Sequence, residues 1–475
     1  MEAELYPSDI LAGIVLPATT KDLTIWVSTT GDDNIGNGSA GNPYLTVTKA
    51  FEQVPYIIRH KINVRIGAGA YTDWPRVLRH VAEGDGQLTV EGLGTPTVVA
   101  GPFTLTGAAD LGSGRGWDLT VAAAGWGVDD YAGKFIRFTD TGDLIDRIIP
   151  VHRNSADTIE TLDTATYGAS IPAAGTTFNV IEPTVEVTLA NDSSVFDLTS
   201  NGIRRGANFI FANLWLDNPT TERVAFNFVN TGRVGTGLVK FSSLAPYNET
   251  LNIAGGDLNS DTLYDWDWTQ LVDPRLVRSL PMPTKTMLWF SVVVENRYGG
   301  GLDPTNPGIC FSGMRTSGYH GINSVARCST RALVTIYETR AGLSHCRTGR
   351  INVDHQGVGA IYRVAVSLGA EAVDGIRVDD LSQAELQDVI VTSTGADAIQ
   401  IEDLCRMLFE NVQVTTAKVV GYGLRVGRGS RVVCCDASAP TGTLGAIHFD
   451  QTNTTVGFPA AKNWVTDGVG SSVTA

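Results

Sequence analysis

Gly375-Ile376-Arg377-Val378-Asp379-Asp380-Leu381, Ala398-Ile399-Gln400-Ile401-Glu402-Asp403-Leu404 and Gly423-Leu424-Arg425-Val426-Gly427-Arg428-Gly429 are three versions of one phrase. A fourth begins at Ala446-Ile447-His448-Phe449, so the starts fall at positions 375, 398, 423 and 446, a nearly constant step. The match extends beyond the phrase: Leu386-Gln387-Asp388-Val389-Ile390-Val391 precedes Phe409-Glu410-Asn411-Val412-Gln413-Val414 by the same step. A period of this size marks stacked units that each bury a face against their neighbours. Within a unit the apolar residues alternate, with Ile376/Val378, Ile399/Ile401, Leu424/Val426 and Ile447/Phe449 on one side, as in strands. Short strands and turns with no helix in the repeat predict an all-β parallel β-helix. Leucine-rich repeats share the length, but their asparagine ladder and leucine spacing are missing.

Composition agrees. There are 52 glycines in 475 residues, suited to a chain that turns every few residues. The net charge of −15 argues against a phosphate-backbone binder, so no nucleic-acid partner is expected. Six cysteines (Cys310, Cys328, Cys346, Cys405, Cys434 and Cys435) show no CxxC and no zinc spacing with histidine, and free thiols are the expected state. Cys405 takes the repeat position of Ser382 and Ser430, which predicts a small buried side chain. Glu2, Glu4 and Asp9 stand where a secretory signal would be basic, and Ile10 to Leu16 is too short for a membrane span. The expectation is assembly in a reducing cytoplasm, without membrane insertion. No cofactor is indicated.

The layout predicted is an arm at 1–20, a cap with the first coils at 21–116, an inserted small β-barrel-like domain at 117–182, the main solenoid at 183–450, and a tail at 451–475. Val47, Ala50, Phe51 and Val54 fall on one helical face, suited to covering the open apolar end of a solenoid. Leu88-Thr89-Val90 follows Val64 and Ile66 by about one turn, which aligns Leu88 with Val64 and Val90 with Ile66. Phe226-Asn227-Phe228 likewise lies about one turn before Leu251-Asn252-Ile253. Between Trp117 and Glu182 the rhythm breaks into short antiparallel-looking strands, either a binding module or a decoration. Long loops at 257–283 and 298–307 make the 255–345 face the first place to look for a ligand.

The run Trp26-Val27-Ser28-Thr29-Thr30-Gly31-Asp32-Asp33, with Asn42-Pro43-Tyr44-Leu45-Thr46, Lys49-Ala50 and Gly69-Ala70-Tyr71-Thr72, resembles the N-terminal cap of pectin-lyase-like β-helix proteins. It looks most like the versions in bacteriophage tailspikes and other phage appendages. The resemblance implies a right-handed solenoid, as the chirality of parallel crossovers also does. It further implies a homotrimer, a virion location, and attachment to other virion proteins through the N-terminal arm. The chain carries no large C-terminal trimerisation domain of the kind some tailspikes have.

Three constellations could carry chemistry. Asp379-Asp380 lies one coil below Glu402-Asp403, and strands about 4.8 Å apart would suit the paired carboxylates of a retaining glycosidase. The other reading is a solvated acidic turn neutralised by Arg428. Arg315, Tyr319, His320, His345, Arg347 and His355 are the residue types a polysaccharide lyase uses to neutralise a uronate and abstract its proton. Tyr264-Asp265-Trp266-Asp267-Trp268 offers indole faces and carboxylates to a sugar, or an anchor for its loop. The loop Asp32-Asp33-Asn34-Ile35-Gly36-Asn37 is oxygen-rich but lacks EF-hand spacing, and no metal is assigned to it. The site residues expected are Asp379, Asp380, Glu402 and Asp403 for catalysis, and Trp266, Trp268, Arg315, Tyr319 and His320 for glycan binding.

The function expected is a virion appendage that recognises a host surface polysaccharide, with cleavage by lyase or hydrolase chemistry left open. Two rivals stand beside it: a non-catalytic structural protein of a baseplate, tail or capsid, and a free bacterial polysaccharide lyase or glycosidase. Nothing in the sequence names the glycan.

Overall fold

In the computed structural model the repeated phrases are stacked parallel strands. Ile376 pairs with Ile399, Ile399 with Leu424, and Leu424 with Ile447. The structure describes residues 17–111, 116–139, 148–162, 171–189, 194–200, 208–219, 225–229, 234–244, 250–254, 292–296, 307–312, 323–326, 328–367, 373–393, 396–410, 412–416, 423–427, 430–436, 447–449, 455–457 and 472–473. A 23-stranded sheet and an 8-stranded sheet, both parallel, wind into a parallel β-helix, and a 7-stranded antiparallel sheet stands beside it. The one helix among the described residues is five residues long, and none is long and apolar enough to cross a membrane.

The alternation seen in sequence is what fills the interior. Ile376, Val378, Ile399, Ile401, Leu424 and Val426 are all at 0% exposure, inside one core that runs from Ile25 to Val432. Each such side chain contributes roughly 1.5–3 kcal/mol of burial. Phenylalanines continue the stack in the middle coils, where the rings of Phe196 and Phe228 lie 4.5 Å apart and nearly parallel. Phe226 does pair with Leu251, one turn on, and Leu386 with Phe409.

Cys405 is buried between Ser382 and Ser430 as the repeat predicted. The Ser382 N–H donates to Cys405 Sγ at 3.2 Å, and the Cys405 N–H donates to Ser430 Oγ at 3.1 Å. Burial pushes the Cys405 thiol up to about 12. Cys310, Cys328 and Cys346 are also free and buried, while the side chains of Cys434 and Cys435 lie outside the described residues.

The capping helix is Val47–Phe51, with Thr46 as N-cap accepting from the Lys49 N–H at 3.2 Å and Val47, Ala50 and Phe51 buried. The Phe51 ring meets Trp74 edge-on at 5.5 Å, sealing the first coil. Asp33 ties the cap loop to this helix by accepting from Leu45 N, Thr46 N and Thr46 Oγ1. Asp32 accepts from Asn34 N and Ile35 N. Asp32 and Asn37 thus bond local backbone, as turn residues commonly do, while Asp33 bonds the start of the helix.

Two sequence expectations shift. Leu88 pairs with Ile62 rather than Val64, and Val90 pairs with Val64 rather than Ile66, a displacement of two positions along the strand. Sliding a strand by two keeps the same residues inside, so alternation alone does not choose between the registers. The antiparallel sheet begins earlier than 117, because Thr97–Thr104 pairs with Thr177–Glu182 and Gly107–Asp110 pairs with Trp117–Thr120. Its own core gathers Trp117, Trp126, Phe138, Phe178 and Val180.

This insert is clamped to the solenoid. Phe135, Ile148 and Ile181 pack on Leu238 and Val293 of the coils. Around that apolar contact runs a buried ionic seam. Arg347, 2% exposed, reaches Asp118 at 2.7 Å and Glu160 at 2.9 Å. Arg331 and Lys240 hold Glu295 at 2.7 and 3.1 Å, and Arg153 meets Asp129 at 3.2 Å. Burial would push the Glu295 carboxyl up, but Lys240 and Arg331 bring it below its ordinary value.

Candidate functional site

Strands Arg347–Asp354, Ile376–Val378, Ile399–Ile401 and Leu424–Val426 lie side by side, and their outward residues form columns. The middle column is Asn352, Arg377, Gln400 and Arg425, in register. Val378 pairs with Ile401, and the Glu402 N–H donates to Val378 O, so the Asp379-Asp380 turn stacks on Glu402-Asp403 as the repeat predicted. The next step of the column is Gly427, whose N–H bonds Ile401 O, and Arg428 lies outside the described residues.

These turns use an uncommon backbone. Asp380 and Leu381 have φ of 52° and 61°, Asp403 and Leu404 of 54° and 62°, and His355 and Gln356 of 49° and 62°. A non-glycine residue in this region costs about 1–2 kcal/mol. Bonds between coils hold it there, from Gln356 N to Asp380 O at 2.9 Å and from Leu381 N to Asp403 O at 3.0 Å.

Arginines of the middle column meet the acids. Arg377 Nη2 lies 2.6 Å from Asp379 Oδ2 and 3.9 Å from Glu402 Oε2. Gln400 Nε2 donates to Glu402 Oε1 at 2.8 Å, and Arg425 Nη2 is 4.0 Å from the same oxygen. Burial pushes the Asp379 carboxyl up, but hydrogen bonds from Arg377 and with Asp403 hold it below its ordinary value.

A second acidic column went unnoticed in the sequence. Asp374 and Asp397 flank the other ends of the same strands, and the Gly375 N–H donates to Asp397 O at 3.2 Å. Arg350 reaches Asp374 at 3.9 Å and Arg425 reaches Asp397 at 3.8 Å. Burial, reinforced by Asp397, raises the Asp374 carboxyl despite Arg350. The signal was available, since each aspartate stands immediately before its phrase, at the same place in successive repeats.

Geometry limits what these acids can do together. Asp374, whose carboxyl is raised, and Asp379, whose carboxyl is lowered, flank strand Ile376–Val378 five residues apart, or roughly 16 Å along an extended chain. Glycoside hydrolysis needs its two carboxyls about 5–9.5 Å apart. Within one coil they therefore do not form an acid–nucleophile pair. Between coils, Asp374 stands beside Asp397 and Asp379 beside Asp403.

Of the lyase-type cluster, the described members Arg347, His345 and His355 do not converge. Arg347 and His355 sit near opposite ends of strand Arg347–Asp354, and Arg347 is spent on the insert. His345 is buried, with Ser344 Oγ 2.6 Å from its Nδ1. His355 is exposed on the acidic turn, where its ring lies 4.5 Å from that of Tyr337. Arg315, Tyr319, His320, Trp266 and Trp268 lie outside the described residues.

No protein-family model matches the sequence, and no match to a curated protein was found. Solved structures similar to the chain include the tailspike protein gp49 of Pseudomonas phage LKA1, 9% identical over 82% of this chain and 75% of that one, with a TM-score of 0.29. The GH136 lacto-N-biosidase of Eubacterium ramulus is 10% identical over 95% of this chain and 67% of that one, with a TM-score of 0.31. The gp54 tailspike of Acinetobacter baumannii bacteriophage AP22, solved with a capsular saccharide, is 10% identical over 83% of this chain and 71% of that one, with a TM-score of 0.20. These are parallel β-helix proteins. The fold of this chain rests on its own strand pairing.

Proposed function

We propose that the protein is a virion appendage that binds a host surface polysaccharide along the columns of strands Arg347–Asp354 to Leu424–Val426. The observation that carries this reading is the outward stripe Asn352, Arg377, Gln400 and Arg425, flanked on both sides by carboxylates. Planar amide, guanidinium and carboxylate groups repeating about every 4.8 Å offer a polymer a regular row of hydroxyl partners. Most of these acids already hold an arginine, which suits recognition better than proton transfer. The cap residues Trp26 to Asp33 support the appendage reading through their family resemblance. In this reading the molecule is a homotrimer, and residues 1–20 attach it to other virion proteins.

One observation favours cleavage as a second reading: the raised Asp374 carboxyl stands beside Asp397 from the next coil. A carboxyl raised above its ordinary value next to a second carboxylate is a shift in the direction general-acid hydrolysis needs.

The test is incubation with polysaccharides and whole cells of candidate host strains. Cell retention weakened by Arg377→Ala and Gln400→Ala is expected. Viscosity falling without new ultraviolet absorbance, and abolished by Asp374→Asn, would establish hydrolysis, whereas new absorbance from unsaturated uronates would establish lyase action. If no strain or glycan retains the protein, the structural-protein alternative replaces this one. Light scattering that shows a stable monomer at micromolar concentration would remove the trimer.

A further inference from the structure

The arginines of this face are not shared evenly. Asp374, Asp379, Asp397 and Glu402 each lie within 4.0 Å of an arginine nitrogen. Asp354 and Asp380, at the outer edge of the same turns, have no lysine or arginine within that reach among the described residues. Their shared partner is His355. Its Nδ1 is 3.1 Å from Asp354 Oδ1, and its Nε2 is 3.8 Å from Asp380 Oδ2. One ligand atom from each of the three residues lies within 4.8 Å of the other two.

The fold supplies this cluster from adjacent coils. Asp354 ends strand Arg347–Asp354, His355 opens its turn, and Asp380 occupies the stacked turn above, tied down by the bond from Gln356 N. The Tyr337 ring packs against the imidazole and sets its plane. Two carboxylates beside an imidazole carry the charge that a divalent cation would cancel.

We propose that Asp354, His355 and Asp380 form a binding site for one divalent transition-metal ion of the zinc, cobalt or nickel type. Such ions accept mixed imidazole and carboxylate donors, whereas calcium and magnesium take oxygen. Three protein ligands leave a fourth position for water. Bond lengths of about 2.0–2.1 Å place tetrahedral ligand atoms roughly 3.3 Å apart, so the cluster must tighten slightly. His355 and Asp380 have side chains 48% and 53% exposed, with room to swing inward. The site makes no use of the proposed glycan, and it can be tested without one.

The full-length chain is stripped with chelator and titrated with Co2+, followed by its visible absorption, and with Zn2+ by calorimetry. One ion per chain is expected, with Zn2+ displacing Co2+ and Ca2+ failing to do so. His355→Asn keeps a residue that tolerates positive φ, and Asp380→Asn keeps the shape of the turn. Each is expected to weaken binding at least tenfold while the denaturant unfolding curve stays in place. Glu83→Gln, in the distant Arg59–Glu83 surface pair, should bind as the parent does. The absence of saturable one-to-one uptake, uptake unchanged in both variants, or equal displacement by Ca2+ overturns the proposal.

Discussion

Arg347 is a solenoid residue whose two terminal guanidinium nitrogens are held by the insert: Nη2 meets Asp118 Oδ1 at 2.7 Å and Nη1 meets Glu160 Oε2 at 2.9 Å. These two acids come from neighbouring antiparallel strands, so one cation fastens the sheet to the coil at two points. Gly116 packs so closely here that an added Cβ would meet Arg347 Nε at 2.7 Å.

Replacing this cation should loosen the insert selectively. Arg347→Met keeps the apolar stem but leaves Asp118 and Glu160 unpaired. Because those acids are partly exposed, the expected loss is about 2–3 kcal/mol, below the range for a fully buried pair. Hydrogen exchange should rise across 97–182 while strands around Ile376 stay protected. Uniform destabilisation of both regions would show that the seam is not a local clamp.

Acid should weaken the cap and the seam. Burial lowers His80 from 6.5 to about 4, and burial with Arg153, Arg347 and Arg331 lowers His152 well below 6.5. For both, the unfolded chain binds the proton more readily, so their contribution is complete above pH 6.5 and is lost as pH falls towards the folded values. The His80 loss runs at up to about 1.4 kcal/mol per pH unit between 6.5 and 4. Urea melts at pH 7 and pH 5 should differ less in His80→Leu than in the parent. Equal pH dependence in the two proteins would remove His80 from the explanation.

The thiol ladder gives a prediction about chemistry and packing together. Cys405→Ser should be tolerated, because serine fills the equivalent position one coil to either side. Cys405→Val should cost about 1–3 kcal/mol by leaving the Ser382 N–H without an acceptor. Native Cys405 should resist alkylation that the unfolded chain accepts, since it is buried and its thiol is held at about 12. Rapid labelling of Cys405 in the folded protein would contradict the ladder.

Repeat position should decide the cost of trimming an apolar side chain. Ile399→Ala opens a cavity between two coils and is expected to cost about 2–5 kcal/mol. Leu404→Ala, at 64% exposure on the outer turn, should stay within about 0.5 kcal/mol. Comparable losses would mean that the turn leucine is covered in solution.

The coils around Ile376, Ile399 and Leu424 were legible because inward side chains repeat at a fixed step and nothing else in the sequence competes with that pattern. The Val64–Val90 register was not, since a strand slid by two positions places the same side chains indoors. The start of the insert was hidden for a related reason: Val98 and Val99 are consecutive and both exposed, so Thr97–Thr104 carries no alternation. At the site, the stacking of Asp379 on Glu402 followed from the repeat. The identity of their cations did not. Arg377 and Arg425 stand in the middle column and reach the flanking acids, a direction that spacing alone does not report.

The match between the coils of Ile376 and Ile399 reaches the backbone, with the same two positive-φ residues at the same corner and the same bonds passing upward. The segment 376–398 is therefore a removable unit: cutting out that whole turn would leave Val353 facing Ile401 across a seam of unchanged shape. Length along the axis can change in discrete increments without redesigning a loop. Duplicating or deleting such a segment in frame would lengthen or shorten the molecule by one coil at a time.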